Sequence, residues 1–158
     1  MIYWKQQRFA IASLTELMRS LWCLNKNKES VETKHTVDVL LQVAETQDCN
    51  QANKFLSTRT PFTLILTNKQ ITDLRPLSSL TNLTDLYLYN NQITDLRPLS
   101  PLTNLTEFSL TNNQIADLKP LSRLTNLTEL TLNNNPSLTN KTCPIKPASI
   151  CKFAPSSR

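Results

Sequence analysis

The sequence predicts an α/β solenoid: a right-handed coil of about four turns, with a parallel β-sheet along its concave side and a helical cap at its N-terminal end. Three observations predict it. A block of 22 residues recurs between Leu80 and Leu132, restarting at Leu83, Leu105 and Leu127. Each copy opens with strand spacing and then changes to a spacing of three. Residues 1–60 lack the block and carry helical spacing instead. A fixed period of this length marks a stack of identical supersecondary units, none of which can bury its apolar side alone.

The second copy shows how one unit works. Its apolar residues are Leu83, Leu86, Leu88, Ile93, Leu96, Leu99 and Leu102. The alternation Leu86-x-Leu88 turns leucines inward and leaves Asp85, Tyr87 and Tyr89 outward. The later spacing of three fits a tight turn or short helical piece, which Pro98 suits. A weaker copy precedes it from Pro61 to Leu80, with Leu64, Leu66, Ile71, Leu74 and Leu77 in register. Asn91, Asn113 and Asn135 stand where the chain leaves each strand. Backbone groups turned inward there need partners, and a primary amide both donates and accepts, so these three form a structural asparagine ladder. Lys69 occupies the equivalent position of the first copy. That coil therefore reads as a transition from cap to array.

Three stretches follow: an N-terminal cap at 1–60, the repeats at 61–140, and a C-terminal cap and tail at 141–158. In the first, Leu14, Leu17, Met18 and Leu21 share one helical face, and Val37, Leu40, Leu41 and Ala44 share another. A further helix begins at Asp48, with Gln51 placed to close a capping box. The C-terminal stretch loses the repeat and contains Pro144, Pro147 and Pro155.

The net charge of +5 resolves by region. Residues 1–60 carry +2, residues 61–140 carry −1, and residues 141–158 carry +4. The repeat surface is not basic, which argues against nucleic-acid binding. No apolar run is long enough to span a membrane. The best candidate for a signal peptide, residues 9–14, is interrupted by Ser13 and followed by Thr15 and Glu16. The chain as written therefore reads as cytoplasmic, with an extracytoplasmic or cell-surface location as the alternative if its cysteines pair.

Four cysteines allow three connectivities. About four coils at about 4.8 Å per strand hold the two ends beyond the roughly 7 Å limit for bridged α-carbons. That leaves Cys23 with Cys49 and Cys143 with Cys151, or else four reduced core thiols. Their spacing, with His35 alone in the cap, does not suggest a metal.

The chain contains no glycine, so it lacks the phosphate-binding loop, the dinucleotide fingerprint and the nucleophile elbow. No cofactor is expected. Asp85, Glu107 and Glu129 stack in one outward column at about 4.8 Å, near the carboxylate separation of retaining glycosidases. A solvated strand face offers neither acid the desolvation that raises a pKa. The column reads instead as an acidic recognition surface, with divalent-cation binding the weaker alternative. Beside it run Ile65, Tyr87, Ser109 and Thr131, then Thr67, Tyr89, Thr111 and Asn133. Tyrosine joins apolar area to a polar tip and is enriched in interface hot spots. The expected partner-binding residues are therefore Asp85, Tyr87, Tyr89, Glu107, Ser109, Thr111, Glu129, Thr131 and Asn133. Arg75, Arg97 and Lys119 form a column on the back, each two residues after an aspartate, and read as mutual neutralisation on a solvated face.

The Asn-Gln-Ile-Thr-Asp-Leu-Arg-Pro-Leu-Ser run and the Leu-Thr-Asn-Leu-Thr joint resemble the short, 22-residue class of leucine-rich repeats. Listerial internalins are its familiar bacterial members, and they too carry a helical N-terminal cap. The ends around Cys49 and from Cys143 to Phe153 are also similar to those of small bacterial, cyanobacterial-type leucine-rich-repeat proteins. The resemblance covers residues 61–140. It implies a concave β-face that binds protein, and it names no receptor. Internalins add a signal peptide, an immunoglobulin-like joint and a surface anchor that are not legible here, so a host-invasion role is not carried over. A eukaryotic phosphatase-regulating subunit uses the same repeat class. The expectation is a non-enzymatic protein-interaction module whose partner is an unknown protein with a basic or polar patch. The alternatives are a truncated structural fragment without a ligand, or an intracellular regulatory scaffold.

Overall fold

The computed structural model describes residues 22–153. The helical pattern of Leu14, Leu17, Met18 and Leu21 and the apolar segment at 9–14 lie outside the described residues. The cap contains α1 (Val31–Val43) and α2 (Cys49–Ser57). Ser30 starts α1 by accepting the Thr33 N–H, and Val37, Leu40, Leu41 and Ala44 are buried as their spacing requires.

Asp48 caps α2 by accepting from the Asn50 and Gln51 N–H groups. The expected capping box does not close. Thr46 Oγ1 takes the Asp48 N–H at 3.0 Å and donates to Gln51 Oε1 at 3.0 Å. A hydroxyl two residues upstream reaches that N–H before the longer glutamine does.

Five parallel strands follow in sequential order: β1 (Phe62–Ile65), β2 (Leu83–Tyr87), β3 (Glu107–Ser109), β4 (Glu129–Thr131) and β5 (Cys151–Lys152). Leu64, Leu86, Phe108 and Leu130 point inward in the strands, and Leu66, Leu88, Leu110 and Leu132 lie just beyond them, all at most 2 % exposed. Short 3-10 turns at Arg75–Leu77, Arg97–Leu99 and Lys119–Arg123 line the back, each with a proline in its first two positions. One continuous core runs from Val39 and Leu56 of the cap through every coil to Ile145, Ile150 and Cys151. A second, smaller cluster of Val37, Leu41, Ala44 and Ala52 sits within the cap.

The tail contributes β5, which sequence spacing did not predict. A two-residue strand is too short to display a period. It pairs Cys151 with Leu130 and Lys152 with Thr131. Two disulfides close the ends, Cys23–Cys49 and Cys143–Cys151, each with α-carbons 5.7 Å apart.

The asparagine ladder has a direction. The Asn113 amide donates to Leu88 O, in the preceding coil, and to Leu110 O, in its own. Its Oδ1 accepts the N–H of Ile93, again in the preceding coil. Asn91 and Asn135 repeat this arrangement. Each asparagine thus completes the coil before it. Lys69 has no earlier coil to complete, which accounts for its departure from the pattern.

The residue just before each ladder position adopts positive φ: Asn68, Asn90, Asn112 and Asn134, between 53° and 58°. In a chain without glycine, asparagine is the residue that tolerates this region at lowest cost. A further set of side chains works at the joints. Asn104 and Asn126 donate to Thr81 O and Thr103 O, while Asn82 donates to Leu56 O and Arg59 O of the cap.

Candidate functional site

The sheet register places the predicted columns together. Thr63, Asp85, Glu107 and Glu129 are successive Cα partners, as are Ile65, Tyr87, Ser109 and Thr131. Thr111 and Asn133 continue the hydrogen-bonded path beyond the strands, their carbonyls accepting from the Asn90 and Asn112 N–H groups.

The three acids differ in what they already hold. Asp85 accepts from the hydroxyls of Thr63, Thr84 and Thr106 at 2.9–3.1 Å. It is the hub of a cluster that ties three strands together, so its role is first structural. Glu107 accepts the Tyr87 hydroxyl at 2.6 Å. That bond, with partial burial and the charges of Glu107, Asp85 and Glu129, pushes the Tyr87 phenol up to about 12. Tyr87 therefore stays protonated and pinned across β3. Glu129 is exposed and, among the described residues, has no ion pair. Ser109 Oγ accepts from Thr131 Oγ1 at 2.8 Å.

Ile65 and Lys152 join the expected residues on this face, and neither was singled out from sequence as a binding residue. Ile65 is 57 % exposed beside Tyr87, and Tyr89 is 38 % exposed. An exposed isoleucine and two tyrosines thus occupy the N-terminal half of the face. At the other end Lys152 continues the Tyr87 column, so the face gains a basic residue from the C-terminal stretch. Both share outward register, which for Lys152 is visible only once β5 is known to pair. Among the described residues no three His, Cys, Asp or Glu side chains converge as a metal site.

The back column needs correction at Lys119, which among the described residues makes no ion pair with Asp117, and at Arg75. Arg97 pairs with Asp95 in the open, and its guanidinium holds that carboxyl below the usual range. Arg75 pairs with Asp73 and also donates to Thr33 Oγ1 of α1 at 2.6 Å. Thr33 in turn donates to Asp73 Oδ2 at 2.5 Å, and Thr36 donates to Asp73 O at 2.8 Å. Burial raises the Asp73 pKa, but hydrogen bonds from Arg75 and Thr33 outweigh it and hold the group low. This pair fastens the cap to the first coil. Asp73, Asp95 and Asp117 each also accept the N–H two residues on, which sets the turn as an Asx motif does.

A five-stranded parallel sheet whose middle strands belong to 22-residue coils, with a ladder asparagine after each of β2, β3 and β4, defines a leucine-rich-repeat solenoid. The family model for leucine-rich repeats in two copies matches residues 63–101 and 103–142, and the chain belongs to that family. Its repeats are internalin-like. A crystal structure of an internalin (inlF) from Listeria monocytogenes superposes with a TM-score of 0.56 at 31 % identity, covering 63 % of this chain and 29 % of that one. An internalin C2 from the same species is 37 % identical over 58 % of this chain and 51 % of its own, with a TM-score of 0.48. The chain therefore spans less than two thirds of either internalin. No curated protein gives a match.

Proposed function

We propose that this chain is a non-enzymatic binding module whose concave face docks a protein bearing a basic or polar patch. The observation that carries this reading is the grouping of Ile65, Tyr87 and Tyr89, exposed or half-exposed, beside Glu107 and Glu129. Large aromatic surface supplies affinity at such interfaces, while opposed charge raises the encounter rate and makes it salt-sensitive. Because Tyr87 is already anchored to Glu107, less conformational freedom is lost when a partner covers it.

The test is titration of a captured partner against Tyr87→Ala with Tyr89→Ala. Binding should weaken by about 2 kcal/mol or more, chiefly through a faster off-rate. The back-face variant Arg97→Ala should bind as wild type. Equal affinity for the tyrosine variant and wild type removes the concave face as the site.

We also infer a protein that matures in an oxidising compartment, from the two cysteine pairs at bonding distance. Peptide mapping of natively isolated protein without reduction should recover Cys23 with Cys49 and Cys143 with Cys151. Four free thiols in that material would place the protein in a reducing compartment instead.

A further inference from the structure

Where the C-terminal cap folds against the last repeat, it leaves an open groove of about 590 Å³. Its walls include Thr125, Thr128, Lys146, Pro147, Ser149 and Lys152. No carboxylate forms part of them. Unpaired lysines are common on this surface, but here two converge on one groove among hydroxyls. Among the described residues, neither Lys146 nor Lys152 has an ion pair. The groove is also continuous with the concave face. Lys152 is in register with Thr131, and Thr128 directly precedes Glu129.

The sign of charge therefore changes along one surface. Glu107 on β3 and Glu129 on β4 are followed by Lys152 on β5, with Lys146 behind it. Glu129 and Lys152 are both exposed, and among the described residues they form no ion pair with one another. Adjacent parallel strands lie about 4.8 Å apart, and Lys152 stands in the Ser109 column, two residues along the strand from Glu107, so the two are separated by roughly 12 Å diagonally across the sheet. An extended peptide crossing the strands diagonally covers that distance in about three to four residues at roughly 3.3 Å each.

We propose that the C-terminal groove is a second subsite that accepts carboxylate side chains of the partner. The ligand is then an extended peptide segment of mixed charge, with basic residues over Glu107 and Glu129 and acidic residues about three to four positions further on, over Lys146 and Lys152. This rests on the concave-face reading above and adds a polarity to it. A partner of uniform positive charge would meet the two lysines and be disfavoured at that end.

The probe is a labelled peptide carrying two lysines, two serines and two glutamates in that order, compared with the same peptide in which glutamines replace the glutamates. Wild-type protein at low salt should bind the glutamate peptide about fivefold more tightly, the gain expected of exposed charge pairs. In Lys146→Ala with Lys152→Ala the two peptides should bind equally. A preference that survives in that variant overturns the subsite, as does equal binding of the two peptides to wild type, or no saturable binding of either. Displacement of both peptides alike by millimolar inorganic phosphate would also overturn it, by marking a site for small anions. Replacing the two lysines of the peptide by glutamine tests the other end separately. If that change weakens binding to wild type but not to Glu107→Gln with Glu129→Gln, the concave reading stands whatever the groove does.

Discussion

Leu110→Ala is expected to lower stability by about 2–5 kcal/mol, the range for deleting a buried leucine side chain from a close-packed core. Leu110 is fully buried, in the inward column of Leu66, Leu88 and Leu132. It has a complete coil on either side, so neighbouring side chains cannot collapse into the space without moving a strand. Its N–H also donates to Thr131 O at 2.8 Å, which fixes the backbone beneath the cavity. Because each coil rests on its neighbours alone, a defect in this central coil weakens the union of the two halves. Urea titration followed by circular dichroism reads the shift. An unchanged midpoint would mean that the inward register assigned to this column is wrong.

Asn113→Ala should cost about 1–3 kcal/mol. Asn113 is 4 % exposed, and its loss strips the partner from Ile93 N–H and one of two ladder donors from the Leu88 and Leu110 carbonyls, which keep Asn91 and Asn135. Alanine leaves the Ile93 N–H buried without a partner and the two carbonyls with one donor fewer. Lys69→Ala, at the equivalent position of the first coil, should unfold at the wild-type midpoint, since no earlier coil depends on it. Identical destabilisation by the two substitutions would refute the directional ladder. Leu110 and Asn113 share a hydrogen bond, so their combined effect need not be additive.

The array itself was legible because its determinants repeat. Inward leucines, ladder asparagines and the outward columns each recur at 22 residues, and a repeated error would be needed to misplace them. The cysteine pairs were narrowed by length alone, since the array holds the two ends apart. What escaped were contacts made once. Asp85 reads as one acid in a column until Thr63, Thr84 and Thr106, from three successive strand edges, close on it. Arg75 reads like Arg97 until α1, some forty residues earlier, brings Thr33 against it. Strand β5 has no period to betray it, and with it went the outward position of Lys152 and the groove beside it. Half of the candidate face was therefore readable as a pattern. The rest depended on how two non-repeating ends fold back on the coils.

The one-way ladder bears on how such a chain can grow. Each 22-residue unit carries the asparagine that finishes its predecessor, and it receives the same service from its successor. Duplicating or removing one whole internal unit leaves every remaining turn with a complete set of partners. The cap, the first coil and the tail strand are not interchangeable in this way, because their contacts are made once. Length is therefore a heritable variable of the middle alone, and a binding face of this kind can be widened or narrowed one strand at a time without redesigning either end.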